Sequence, residues 1–212
     1  YLADGSAVTP EEARKRWMIP VFASASGGGE REMAIFPAVA TSAGAAPAPF
    51  TMKVRGDGAW VKLNARQPCP LRVKYPDDMV PALARAVAAK ALPPIDRIGV
   101  LSDHAALAKA GKLDPTLYLE VLGAYADEDD ATVLGMLIEK LVGLHGILQG
   151  APALLAPFDA FARKLLLPRL DEIGWEPRAA DAHLTRKLRG ELIAALPHFA
   201  KGDAAVLAEA TR

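Results

Sequence analysis

Four histidines, one cysteine and two clusters of charge are the side chains in this 212-residue chain whose types could do chemistry. The histidines are His104, His145, His183 and His198, and no two stand four residues apart. No helix therefore presents a pair of imidazoles to one metal ion, and the HExxH pattern is absent. Each of the four reads as a surface or satisfied core histidine. Asp103 and His104 suggest an acid/base pair, but helix neighbours diverge by about 100° and do not face each other. Cys69 stands between Pro68 and Pro70 with no local base or helix N-terminus to activate a thiol. Ser6, Ser24, Ser26 and Ser102 lie in no G-x-S-x-G elbow. Gly27-Gly28-Gly29 lacks the lysine and following helix of a phosphate loop and reads as a hairpin end. Asp127-Glu128-Asp129-Asp130 lacks the ligand spacing of a calcium loop, so capping and the helix dipole account for it. Arg186-Lys187-Arg189, beside Glu191, reads as a solvated helix face. The sequence thus offers no catalytic, cofactor-binding or metal-ligating residue.

The elements that would position these side chains change character near residue 76. Before it, glycine and proline punctuate five short runs with strand character: residues 16–22, 32–36, 50–55, 59–64 and 71–75. Gly56-Asp57-Gly58 makes a turn, and residues 40–49, all Ala, Gly, Pro, Thr and Ser, form a loop. After residue 76 the apolar period becomes helical. Asp77 or Asp78 is placed to cap a helix running to about Ala91, with Pro81 in its first turn. Asp96 opens a segment that Gly111 closes, and Asp114-Pro115 starts another. Asp129 or Asp130 opens a helix in which Val133, Leu137, Leu141, Leu144 and Leu148 form one stripe. A helix with Pro157 and Pro168 as kinks or breaks follows, then helices from Asp181 to Leu196 and from Asp203 to about Ala210. The fold class is α+β: a small antiparallel β-sandwich module over residues 1–76, then an all-α array of stacked helical hairpins over 77–212.

Composition narrows the function classes. Half of the residues are apolar (51%), and 25 Lys+Arg balance 25 Asp+Glu. A pI of about 7.1 lacks the basic footprint of a nucleic-acid binder. One cysteine excludes a disulfide framework and a Cys-rich metal module. No uninterrupted apolar run has the length of a membrane span, and Tyr1-Leu2-Ala3-Asp4-Gly5 lacks a secretory layout. The expectation is therefore no nucleic-acid and no membrane partner. The first residue is Tyr rather than Met, which reads as a processed chain or a piece of something longer.

Several strings, in order, resemble the C-terminal half of zinc aminopeptidases of the aminopeptidase N type, the group that includes the puromycin-sensitive and endoplasmic-reticulum aminopeptidases. Tyr1-Leu2-Ala3-Asp4-Gly5-Ser6 looks like the segment after the family's Gln-x-Arg-Phe strand, and Trp17-x-Ile19-Pro20-Val21 like its Trp-x-Ile-Pro strand. Lys62-x-Asn64 followed by Arg72-Val73-Lys74-Tyr75 is similar to the pair of strands closing its small β-sandwich. Leu92-Pro93-Pro94-Ile95-Asp96-Arg97, Leu101-Ser102-Asp103, Ala110-Gly111 and Tyr125-x-x-Glu128 resemble landmarks of the helical domain that follows. Ile173-Gly174-Trp175 and Leu188-Arg189 look like later ones. Departures stand at Gln67-Pro68-Cys69-Pro70, at His104-Ala105 and at Leu134, where the family commonly has a Gly-bearing turn, an aromatic and Trp.

The resemblance implies the N-terminal part of an α-superhelix in residues 77–212, hinged between Tyr75 and Asp78. It also implies a zinc-dependent, cytoplasmic parent that removes N-terminal residues from peptides by attack of a zinc-bound water. The Gly-x-Met-Glu-Asn motif, the HExxH helix and the catalytic tyrosine of such enzymes do not occur here. The chain would then be an inactive C-terminal fragment that binds no zinc itself. It would partner the catalytic domain of the same polypeptide and shape the chamber that receives peptides. Two other readings stand beside it: an independent helical-repeat module binding a peptide or protein, and an enzyme whose site is assembled from scattered residues.

Overall fold

The computed structural model describes residues 9, 17–27, 32–38, 59–201 and 203–211. The chain divides into two compact units, Tyr1–Val73 and Lys74–Arg212. The expected strand at 50–55, the turn at 56–58, the loop at 40–49 and the opening hexapeptide lie outside the described residues.

In the first unit, β1 (Trp17–Ala25), β2 (Glu32–Ala38) and β3 (Val61–Leu63) form an antiparallel sheet of order β2-β1-β3. Trp17 pairs with Ala38 and Ala23 with Glu32, while Ala23 to Ala25 pair with Leu63 to Val61. Pro20 falls outside the stretch of β1 that pairs with β3, and Pro37 lies on a strand paired on one side among the described residues. A residue without an amide donor is tolerated at such places. Gly27 leaves β1 at φ 87°, as the hairpin-end reading of the glycine run requires. Strand β3 is shorter than its alternation predicts because Asn64 adopts φ 54° and ends it. The run at 71–75 is not a strand: it carries no ladder pairing among the described residues. Positive φ at Arg66 and Gln67, followed by two prolines at 68 and 70, turns the chain out of the sheet first.

The second unit opens with a 3₁₀ turn, Asp77–Met79, and continues through α1 (Val80–Ala88), α2 (Pro94–Lys109), α3 (Pro115–Gly123) and α4 (Ala131–Leu148). Helices α5 (Pro152–Ile173), α6 (His183–Phe199) and α7 (Ala204–Ala210) follow. Neither Asp77 nor Asp78 caps α1: both are taken up by the 3₁₀ turn, and Met79 precedes the helix without a side-chain cap. Helix α2 starts at Pro94, two residues before Asp96, which is buried in its first turn. Elsewhere acidic caps stand where the sequence places them. Asp114 Oδ1 accepts the Thr116 amide at 2.7 Å, Asp130 Oδ1 those of Thr132 and Val133, and Asp203 Oδ1 those of Ala205 and Val206.

Helix ends α1 and α2 share one solution. The Gly111 amide donates to Ala108 and that of Lys112 to Leu107, with Gly111 at φ 65°. The Lys90 amide donates to Val87 and that of Ala91 to Ala86, with Lys90 at φ 52°. Both are Schellman closures, which satisfy carbonyls left over by the last turn. Helix α5 runs 22 residues without splitting at Pro157 or Pro168.

Helix α4 packs against α2, α5 and α6. By length and composition alone it could cross a membrane, but Glu139 and Lys140 interrupt it, and Val133, Leu134, Leu137, Ile138 and Leu141 are buried within the unit. The stripe is as predicted to Leu141. Beyond it the buried position belongs to His145, while Leu144 and Leu148 are half-buried.

Candidate functional site

Among the described residues, buried polar groups are the chemistry on display. The first cluster joins α2 to the loop before α4. Arg97 Nε and Nη2 donate to Glu128 Oε2 and Oε1, both at 2.7 Å, and Nη1 donates to the Leu92 carbonyl at 2.7 Å. Glu128 Oε1 also accepts the amides of Asp129 and Asp130 at 3.0 and 2.9 Å. Tyr125 hydroxyl donates to the Arg97 carbonyl at 2.7 Å. Two planar groups meeting bidentately satisfy most of each other's hydrogen-bonding capacity. The Glu128 carboxylate holds the Arg97 guanidinium above its ordinary pKa against the opposing cost of burial. Burial, and next the charge of Glu128, raise the Tyr125 phenol. These shifts keep Arg97 charged and Tyr125 neutral at neutral pH.

The second cluster fixes the start of α6 to the end of α5. Arg189 Nη2 pairs with Asp181 Oδ2 at 2.7 Å and donates to the Ile173 carbonyl at 3.0 Å, while Nε donates to that of Gly174 at 2.8 Å. Asp181 also accepts the Arg178 amide at 2.7 Å. That backbone donor, and after it Arg189, hold the Asp181 carboxyl below its usual range. Gly174 sits at φ 78°, and a Cβ there would lie 2.8 Å from Arg178 Nη2. The basic run on α6 is thus divided: Arg186 and Lys187 are exposed, but Arg189 is buried. It lies three residues before Leu192 and shares its inward face, which corrects the reading of a wholly solvated face.

The third cluster lies where α4, α5 and α6 meet. His145 Nδ1 is 2.8 Å from Asp159 Oδ1 and its Nε2 is 3.0 Å from Gln149 Nε2. Its ring is 5.5 Å from those of His198 and Phe199, centre to centre. His104, by contrast, is a core histidine: its Nδ1 donates to the Val100 carbonyl at 2.7 Å and its ring stacks on Tyr75. Asp103 is buried beside it in sequence. His183 is exposed. In the first unit Cys69 is half-buried, and the buried Asn64 clamps its backbone: Oδ1 accepts the Cys69 amide at 3.2 Å and Nδ2 donates to its carbonyl at 2.8 Å.

The acidic run separates by role. Asp130 caps α4, Asp129 pairs with Lys90 at the surface, and Glu128 enters the buried cluster. Capping and the dipole therefore account for Asp130 but not for Glu128. Neither Arg97–Glu128 nor His145–Asp159 is a local pair, so spacing along the chain could not bring them together. The available signal was the position of His145 in the α4 stripe, four residues after Leu141.

All three clusters lie within the stretch that a family model matches. The family model described as the ERAP1-like C-terminal domain matches residues 60–212. Aminopeptidase M1-A of Oryza sativa subsp. japonica is 35% identical over 154 residues, 72% of this chain and 17% of the rice protein. Aminopeptidase M1 of Arabidopsis thaliana is 34% identical over 163 residues, 76% of this chain and 18% of its own length. The puromycin-sensitive aminopeptidase of Caenorhabditis elegans is 29% identical over 127 residues, 60% of this chain and 13% of its own. The chain therefore spans less than a fifth of the length of these relatives.

Proposed function

Because the chain belongs to the ERAP1-like C-terminal domain family of the aminopeptidases, we propose that it is the non-catalytic C-terminal portion of a zinc-dependent aminopeptidase that removes N-terminal residues from peptides. The observation that carries this reading is the family match over residues 60–212, in a chain that spans so small a share of its relatives. In this reading residues 1–76 belong to a β-sandwich, and residues 77–212 open an α-superhelix that closes over the catalytic domain and shapes the peptide chamber. Tyr75 to Asp78 serve as its hinge. A cytoplasmic parent is part of the proposal and accords with a chain carrying one cysteine.

A catalytic zinc takes about three protein ligands and leaves one position open. Among the described residues no group of three or more His, Cys, Asp or Glu is placed to hold a metal ion. The described residues do not fit that ion, and no hydrolytic step is assigned to them. Their part is to hold α2 to the loop before α4, through Arg97–Glu128, and α6 to the end of α5, through Arg189 with Asp181 and the Ile173 and Gly174 carbonyls.

The test compares this chain with the complete polypeptide encoded by its gene, on aminoacyl-coumarin substrates and on peptides of graded length. The complete protein is expected to release the N-terminal residue and to lose that activity on chelation, while the chain alone is inactive. Hydrolysis by the chain alone, or none by the complete protein, would overturn the reading. An inactive complete protein that binds peptides would favour the independent binding module.

A further inference from the structure

We draw no further inference here: the strongest candidate, the uncharged surface patch at the α4–α5 turn where Ile147 and Leu154 are 66% and 60% exposed, carries nothing because nothing in the structure shows what covers it.

Discussion

At the scale of single residues, the side chains that carry the family resemblance turn out to meet one another. Asp96-Arg97 and Tyr125-x-x-Glu128 are separate strings in the sequence, yet Arg97 pairs with Glu128 and Tyr125 bonds the Arg97 carbonyl. Ile173-Gly174 and Leu188-Arg189 meet in the same way. The residue types were legible, but their partnership was not, because each pair lies on different elements. Removing one member leaves the other buried and unpaired, whereas each pair intact is close to self-sufficient. Glu128→Ala should therefore destabilise the second unit by about 3–5 kcal/mol, measured by urea unfolding of the chain. Adding Arg97→Met should recover part of that loss, since the orphaned charge is then gone; a double variant as unstable as the two single losses summed would refute the pairing. Asp114, Asp129 and Asp181 are held below their usual range by Thr116, Lys90 and the Arg178 amide respectively. A carboxyl depressed in the folded state contributes fully above its unfolded pKa of about 3.9 and loses that contribution as pH falls through the folded value. Unfolding midpoints should hold from neutral pH to about pH 4 and then fall, with a shallower fall in Asp181→Asn.

At the scale of elements, the sequence was most legible where a terminus is made by local chemistry. Asp114, Asp130 and Asp203 each cap the helix they precede, and Gly111 closes α2. Such interactions span two or three residues, so spacing alone reveals them. Legibility failed where a neighbour competes for the same residue. Asp77 and Asp78 went into a 3₁₀ turn, and the run at 71–75 is led out of the sheet by the residues before it. The closure of α1 was also hidden, because Lys90 occupies the position that glycine fills in α2. The contrast makes a paired prediction. Gly111→Ala meets no atom within 4 Å of the new Cβ, so its cost is conformational, about 1–2 kcal/mol for the left-handed backbone. Lys90→Gly relieves that cost while giving up an exposed ion pair with Asp129, worth at most about 1 kcal/mol. It should leave stability unchanged or raise it, in the same unfolding assay in which Gly111→Ala lowers it. Equal losses in both variants would mean that the two closures do not depend on φ.

At the scale of the whole molecule, composition and the change of period anticipated strands followed by helices, the element order that the described residues show. The change of period marks where side chains begin to be buried by helix neighbours rather than across a sheet. Which helix becomes the centre could not be read this way, since α2, α4 and α5 all carry apolar faces. Packing decides it: α4 touches α2, α5 and α6, and its Leu141 is fully buried. The core centred there is built from residues of the second compact unit, Lys74–Arg212, which predicts that the unit folds by itself. Expressed without residues 1–73, it should keep its helical circular dichroism and a single cooperative urea transition. Leu141→Ala then reports on the core directly, since truncating a buried leucine costs about 2–5 kcal/mol through lost transfer free energy and the cavity left behind. The same loss is expected in the isolated unit and in the 212-residue chain, because the helices that bury Leu141 belong to one compact unit. A markedly smaller loss in the isolated unit would mean that its core is loosely formed without the sheet-bearing part, and that the two units fold as one.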